Sequence, residues 1–150
     1  MTKSEKIEKV LTAAHAIIGT PYEYGAYSKP PTKRKPRGVD CSSFIQYIFA
    51  AAGIKMPRSS ILQATKGREI KKAKDLQAGD LIFFEGTKGH YAHKLFPRLK
   101  RRIYIGHVAI YIGSNTIIHA RESINRVDTQ KLSELTANKF YGIVLIKRVI

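Results

Sequence analysis

The hydrophobic pattern of this chain changes its period once, near Gly79, and this change constrains the fold more than any other feature of the sequence. Before Gly79, apolar residues recur at helical spacing over residues 4–18, and a second apolar stretch follows Cys41 and ends at Gly53. After Gly79, short β-branched and aromatic runs alternate with turns, a pattern typical of strands. Helices early in a chain and strands late in it predict an α+β fold, with N-terminal helices packed on an antiparallel β-sheet.

The predicted elements follow from this division. Two helices end at the glycines Gly19 and Gly53, as helices often do, and a short third helix is predicted over residues 57–66. Strands are predicted at 81–84, 103–112, 116–120 and 142–149, with a turn at 113–115 and a helical turn at 132–135.

Length and composition are those of one domain, residues 1–150. A chain of 150 residues that is 43% hydrophobic and 25% charged can bury a single core. No apolar run approaches the roughly 20 residues of a membrane-spanning helix. Residues 1–6 lead into an amphipathic segment, so we predict neither a transmembrane segment nor a signal peptide in this chain. Localisation and oligomeric state remain open.

The formal net charge of +16 is large for this length and predicts long-range attraction to polyanions. Nucleic acid, anionic wall polymers and anionic membrane surfaces all have the required charge. Much of the excess lies in two segments, residues 28–37 and 86–102, which are rich in Lys and Arg. We predict that both are exposed basic loops.

Cys41 is the only cysteine, so neither an intramolecular disulfide nor a four-cysteine zinc site can form. It lies in the first turn of the second predicted helix, with Asp40 as the predicted N-cap. Unpaired backbone N–H groups and the helix dipole favour a thiolate there, and such sites lower the cysteine pKa from about 8.5 to roughly 3.5–7.5. The alternative is a small buried hydrophobe, which is how most free cysteines behave.

A cysteine nucleophile needs a base that accepts its proton and later protonates the leaving amine, and histidine suits both steps. Of the five histidines, His15 lies inside the first helix, and His90 and His93 lie in a basic segment where a solvated role is expected. His107 and His119 instead lie on the two strands that flank the turn at 113–115.

The register of this hairpin decides whether the two histidines meet. If residues 113–115 form a three-residue loop, Ile112 pairs with Thr116 and Ala109 pairs with His119. His107 and His119 then lie on one face as diagonal neighbours, about 7–8 Å apart at the backbone and within reach of each other's side chains. A loop of a different length would place them on opposite faces.

Six motifs in order make the sequence similar to a known family. They lie at residues 21–25, 40–44, 53–59 with Gln63, 79–84, 106–113 and 118–120. In this order they resemble the motifs of the NlpC-type peptidoglycan endopeptidases, a papain-like family of cysteine peptidases. Two departures from the family pattern are Gly25-Ala26, where a pair of glycines is usual, and the length of the two basic segments.

The resemblance implies a papain-like core and a role for each matching residue. Cys41 would be the nucleophile, His107 the base and His119 the residue that orients the base. Tyr22 would line the substrate pocket and help to stabilise the oxyanion. Asp40 and Ser42 match substrate-binding positions, although Asp40 as a helix cap and Ser42 as a first-turn residue are equally good interpretations.

The resemblance also implies a reaction, in which a cysteine thiolate hydrolyses the bond between D-glutamate and a diamino acid in the peptide stem of peptidoglycan. The expected partners are peptidoglycan or its peptide fragments, with an anionic wall polymer as a further candidate and no specific nucleic acid. No cofactor and no metal are expected.

Two other classes of function stay open on the sequence alone. Related papain-like folds carry acyltransfer or lipid-cleaving chemistry, and a basic surface would suit an anionic membrane. A non-enzymatic, polyanion-binding domain would explain the charge of +16 but would leave Cys41, His107 and His119 without a purpose.

Overall fold

The computed structural model of the chain describes residues 1–26, 35–86, 90–91, 96, 103–137 and 142–150. Within these ranges there are four helices: α1 (Lys3–Ala16), α2 (Cys41–Ala50), α3 (Ser60–Gln63) and α4 (Leu132–Thr136). The same ranges contain eight strands: β1 (Arg68–Glu69), β2 (Leu81–Phe84), β3 (His90–Tyr91), β4 (Tyr104–Ile105), β5 (His107–Gly113), β6 (Thr116–Arg121), β7 (Arg126–Lys131) and β8 (Ile143–Arg148).

Six of the described strands form one sheet in the order β1-β8-β2-β5-β6-β7, with antiparallel pairing throughout. Strands β3 and β4 pair separately, also antiparallel. Three of the four helices precede this main set of strands in the chain. The predicted α+β fold with an antiparallel sheet is confirmed.

Helix α2 is fixed to the sheet by the side chains of its apolar face. Phe44, Ile45, Ile48 and Phe49 are fully buried, in one core cluster with Val108 and other residues of the sheet. Full burial of such a side chain stabilises a fold by about 1.5–3 kcal/mol. The position of the helix N-terminus, where Cys41 lies, is therefore set by the packing of the whole helix. A second, smaller cluster covers the other face of the sheet and includes Leu132 and Leu135 of α4.

Asp40 is the N-cap of α2, as predicted. Its Oδ1 accepts a hydrogen bond from the backbone N–H of Ser43 at 2.8 Å. In return, the Ser43 Oγ accepts one from the backbone N–H of Asp40 at 2.9 Å, which completes a capping box. The helix start is thus well defined one residue before Cys41.

The β5–β6 hairpin differs from the prediction in its loop but keeps the predicted register. Gly113 pairs with Thr116, so the loop has two residues, Ser114 and Asn115, both with positive φ. The expected pair between Ile112 and Thr116 is wrong, because Ile112 lies at a register shift that adds one residue to β5. Ile110 still pairs with Ile118, and this register keeps His107 and His119 on the same face.

Gly86 and Gly106 pack backbone against backbone at the end of the sheet where β5 begins. A Cβ on Gly106 would lie 2.4 Å from the Cα of Gly86, so neither position has room for a side chain. Gly106 also interrupts the predicted strand 103–112, which forms as β4 and β5. This contact holds the start of β5, and with it His107, close to the end of β2.

Other predicted boundaries changed in smaller ways. The third helix is shorter than predicted, because only Ser60–Gln63 is helical. Strand β7 was not predicted, since its sequence is mostly polar and only Val127 is buried. Most of the basic segments 28–37 and 86–102 lies outside the described residues, together with His93. The prediction that His90 lies in a loop is wrong, because this residue lies on strand β3. Among the described residues no helix has the length and apolarity required to span a bilayer.

Candidate active site

Cys41 is the first residue of α2, and its sulfur lies against the first peptide of β5. The backbone N–H groups of Val108 and Ser42 lie close enough to this sulfur to favour its ionised form. Because Val108 directly follows His107, the contact brings the thiol to the backbone beside His107. The Cys41 side chain is partly buried against the core and forms no disulfide.

The pKa of Cys41 differs from the sequence-based expectation. Burial, with a further contribution from the carboxylate of Asp40, raises the pKa of Cys41 to about 11, although the two backbone N–H groups and Arg58 act in the opposite direction. The expected low pKa is therefore wrong for the resting site, because desolvation of the thiolate outweighs the favourable helix N-terminus. At neutral pH Cys41 is a thiol and needs a proton acceptor to become a nucleophile.

His107 and His119 are in direct contact. The His107 Nε2 lies 2.7 Å from the His119 Nδ1, and the rings meet edge to face with their centroids 4.9 Å apart. Phe84, the cross-strand partner of His107, packs against its ring at 5.9 Å between centroids. On its far side, the Nε2 of His119 lies 2.8 Å from the Oε1 of Gln130. The structure thus brings together the two histidines that the hairpin register predicts.

Both imidazoles are neutral at pH 7. Burial, together with the neighbouring His119, lowers the pKa of His107 to about 3. Burial also lowers the pKa of His119 to about 4; Arg121 contributes in the same direction, while Gln130 and Asp128 oppose it. Each neutral ring carries one N–H and one unprotonated nitrogen, so the pair can pass a proton without carrying a resting charge.

Tyr22 lies at the same site. Its backbone forms an isolated bridge with Val39, and its side chain is half-buried against the core. Burial raises the pKa of Tyr22 to about 12, with further contributions from Glu122, Cys41 and Asp40. The phenol is therefore protonated at neutral pH and can donate a hydrogen bond to a bound substrate.

Asp40 is the centre of a polar network as well as a helix cap. Arg58 donates from Nη2 to its Oδ2 at 2.7 Å and from Nη1 to its Oδ1 at 3.2 Å. Gly25 donates a backbone N–H to Oδ2 at 3.2 Å. Burial alone would raise the pKa of Asp40, but hydrogen bonds from Arg58 and Ser43 together with the charge of Arg58 hold it below its usual value. The carboxylate is charged and fully engaged.

Ser42 belongs to the same network. Its Oγ accepts a hydrogen bond from the Arg58 Nη1 at 2.7 Å, and Arg58 also donates to the carbonyl oxygen of Ala26 at 2.6 Å. The fully buried Gln63 donates from Nε2 to the carbonyl oxygens of Ser42 and Pro57 at 2.9 and 2.8 Å. These contacts fix the first turn of α2 from two sides, so a structural role for Asp40 and Ser42 is clear.

Arg58 and Gln130 also belong to this site, but neither was predicted from the sequence. A signal for Arg58 was available, because a buried N-cap carboxylate requires a cation or several donors, and Arg58 lies in the motif after Pro57. Gln130 had no comparable signal, because β7 itself was not predicted. Within the described part of the chain, no group of three or more His, Cys, Asp or Glu side chains is placed to hold a metal ion.

A thiol at a helix start, close to the peptide that follows a strand histidine, is typical of a cysteine hydrolase on an α+β core when that histidine contacts a second polar residue. Residues 19–145 of the chain match the NlpC/P60 family, and the chain belongs to this family. The resemblance found in the sequence motifs is confirmed.

Individual relatives agree with this assignment. The chain is 36% identical over 116 residues to the bifunctional muramidase/DL-endopeptidase CwlT of Bacillus subtilis, covering 77% of this chain and 30% of that protein. It is 29% identical over 132 residues to a gamma-D-glutamyl-L-lysine dipeptidyl-peptidase of the same organism, covering 88% and 38%. The chain spans about half or less of the length of these curated relatives.

The solved structure of the peptidoglycan hydrolase RipB from Mycobacterium tuberculosis is similar throughout. It superimposes with a TM-score of 0.71 at 25% identity, covering 100% of this chain and 69% of that one.

Proposed function

We propose that this chain is the catalytic domain of a cysteine endopeptidase that hydrolyses the peptide stem of peptidoglycan, at the bond between D-glutamate and a diamino acid. The observation that carries the proposal is the contact of the Cys41 sulfur with the backbone N–H of Val108, next to the His107–His119 pair. Relatives named as a DL-endopeptidase and a gamma-D-glutamyl-L-lysine peptidase support the choice of bond.

In the proposed reaction the thiol of Cys41 is the nucleophile and His107 is the general base. Because the resting thiol and imidazole are both neutral, the proton moves from sulfur to the unprotonated nitrogen of His107 as sulfur attacks the carbonyl carbon. The C–N bond then breaks, and His107 returns this proton to the departing amine. A thioester remains between Cys41 and the D-glutamyl group.

Water completes the cycle. His107 accepts a proton from the attacking water, the thioester C–S bond breaks, and Cys41 leaves as a thiol with the carboxylic acid as the second product. His119 orients the His107 ring through the 2.7 Å contact. The backbone N–H of Cys41 and the phenol of Tyr22 are the proposed donors to the developing oxyanion. Asp40 and Ser42, held by Arg58, are proposed to border the substrate groove.

The test is incubation with purified peptidoglycan, followed by identification of the released fragments by mass spectrometry. We expect fragments that end in D-glutamate, matched by new amino termini on the diamino acid. Replacing Cys41 with Ala should lower the rate by several orders of magnitude, because the nucleophile is lost. Alkylation of the wild-type protein with iodoacetamide removes the same thiol and serves as the matched control.

Parallel incubations with an added amine and with anionic vesicles separate the other classes of function. An acyltransferase would form conjugates with an added amine in place of free acids, and a lipid hydrolase would release fatty acids from anionic vesicles. A domain that only binds polyanions would sediment with cell walls and release nothing. Near-full activity of Cys41→Ala would show that the nucleophile is assigned wrongly.

A further inference from the structure

We propose that Gln130 is a positioning residue that selects the ring tautomer of His119 and, through His119, the tautomer of His107. This inference rests on the proposed function, in which His107 must present an unprotonated nitrogen to the thiol of Cys41. The proposed effect of Gln130 on His107 passes through the His119 imidazole, which contacts both side chains.

The sheet register places Gln130 where it can do this. His119 pairs with Asp128 and Ile117 pairs with Gln130 across β6 and β7. Side chains alternate along a strand, so Asp128 and Gln130 lie on the same face of the sheet as His119. Gln130 is thus a diagonal neighbour of His119, a distance that a long side chain can span. Its Oε1 lies 2.8 Å from the His119 Nε2.

Proton positions then follow from donor and acceptor chemistry. An amide oxygen can only accept, so the Nε2 of His119 must carry the hydrogen in the contact with Gln130. In a neutral ring the Nδ1 of His119 is then unprotonated and must accept from the Nε2 of His107 at 2.7 Å. His107 therefore carries its hydrogen on Nε2, and its Nδ1 is the unprotonated nitrogen that the proposed reaction requires.

The opposite tautomer of His119 would reverse this order. With hydrogen on Nδ1, His119 would donate to the Nε2 of His107, which would place the hydrogen of a neutral His107 on Nδ1. That tautomer cannot accept the proton of Cys41. Loss of the Gln130 acceptor should therefore lower the population of competent enzyme without changing the substrate groove.

Other charged groups near His119 do not select a tautomer in this way. Arg121 on β6 lowers the pKa of His119 and Asp128 on β7 raises it, so their charges act in opposite directions. His107 on β5 is neutral at pH 7 and carries no charge that would select a tautomer. In the contact with Gln130, the atom that faces the Nε2 of His119 is the amide oxygen, which accepts a hydrogen bond.

The test compares Gln130→Met, Gln130→Glu and a neighbouring control. Methionine keeps the length of the side chain and removes the acceptor. The kcat on a stem peptide should therefore fall about 10- to 100-fold with KM nearly unchanged, the range seen when a hydrogen-bond partner of a metal-bound histidine is lost. Thr129→Val, at an exposed position on the opposite face of β7, should keep wild-type kcat.

Glutamate restores the acceptor and adds a negative charge. Gln130→Glu should have most of the wild-type activity at alkaline pH. On acidification, the activity of this variant should fall at a higher pH than that of the wild type. The reason is that a carboxylate raises the pKa of His119, and a protonated His119 must donate to His107. If Gln130 served only to stabilise the sheet, the fall in activity at acidic pH would occur at the same pH in Gln130→Glu and in the wild type.

A direct readout is the ¹⁵N NMR signal of the imidazole nitrogens in histidine-labelled protein, which needs no substrate. The wild type and Gln130→Glu should show His119 and His107 protonated on Nε2, and Gln130→Met should show a population protonated on Nδ1. Unchanged tautomers in Gln130→Met would overturn this inference whatever the enzyme cleaves. Correct tautomers in a wild-type protein that cleaves no peptidoglycan would instead count against the proposed function alone.

Discussion

Arg58 and Asp40 form a two-point ion pair one residue before the candidate nucleophile, with N···O distances of 2.7 and 3.2 Å. The side chain of Asp40 is 11% exposed and that of Arg58 is 33% exposed. The same guanidinium also holds Ser42 and the carbonyl oxygen of Ala26. One arginine therefore joins the helix start to the segment that follows Tyr22.

Loss of this arginine should destabilise the fold. Arg58→Met leaves the buried carboxylate of Asp40 without its cation, and we expect the free energy of unfolding to fall by about 1–3 kcal/mol, the cost of an unsatisfied buried polar group. Urea denaturation measures this. Arg126→Met, which breaks the more exposed pair with Asp128, is the control and should change stability by less than about 1 kcal/mol. Equal losses in both variants would contradict a special role for Arg58.

His15, His107 and His119 should differ in their effect on activity. His107→Ala should be nearly as damaging as Cys41→Ala, because the base transfers protons in both half-reactions. His119→Ala should be milder, since an orienting residue biases only the ring position and tautomer. His15→Ala is the control, because its ring is exposed on α1 and bonds to the carbonyl oxygen of Leu11. The hydrolysis rates of the three variants on a soluble stem peptide measure this ranking. A loss of activity in His15→Ala with none in His107→Ala would refute it.

The raised pKa of Cys41 predicts the pH dependence of its alkylation. Iodoacetamide reacts with the thiolate, and with a pKa of about 11 the thiolate fraction grows about tenfold per pH unit from pH 6 to pH 10. The rate should therefore rise continuously across this range. Protein unfolded in guanidinium is the control, and its rate should level off above about pH 8.5, the pKa of a free cysteine. A plateau beginning at mildly acidic pH in the folded protein would reveal a resting thiolate–imidazolium pair instead.

The basic segments predict a salt effect that depends on the substrate. If residues 28–37 and 86–102 attract an anionic wall polymer, added salt should slow hydrolysis of intact walls, because the Debye length is only about 8 Å at physiological ionic strength. Hydrolysis of a small soluble stem peptide should slow much less. Identical salt curves for the two substrates would exclude electrostatic steering.

Charge variants sharpen this test. Replacing Lys29, Lys33, Arg34, Lys35 and Arg37 with Gln should reproduce the effect of salt on walls and leave turnover of the small peptide unchanged. The matched control removes the same charge from exposed lysines elsewhere. These are Lys3, Lys9, Lys66, Lys71 and Lys72. Equal effects of both variants would indicate a dependence on net charge alone.

Local signals predicted the parts of the fold that local physics controls. Asp40 and Ser43 form a capping box from neighbouring residues, and the start of α2 was predicted correctly for that reason. The face shared by His107 and His119 was also predictable, because the period of a strand is two. The register shift at Ile112 was not predicted, yet it compensates for the shorter loop.

Properties that depend on distant residues were not predictable in the same way. The pKa of Cys41 is set mainly by burial under elements far along the chain, which a first-turn argument about the helix dipole does not include. Gln130 depends on β7, a strand whose polar sequence carries little hydrophobic alternation. The three groups that accept hydrogen bonds from Arg58, on Ala26, Asp40 and Ser42, lie 16 to 32 residues before it in the chain, so the full network was not predictable from local sequence.

The contact between Gly86 and Gly106 has a consequence for how this domain can vary. The chain leaves the sheet after β2 and returns to it before β5 at one point, since the two glycine backbones touch. Closing a longer loop costs only about 0.6 kcal/mol for each doubling of its length. The length of the chain between Gly86 and Gly106 can therefore change at little cost in free energy, while the spacing of Phe84 and His107 stays the same.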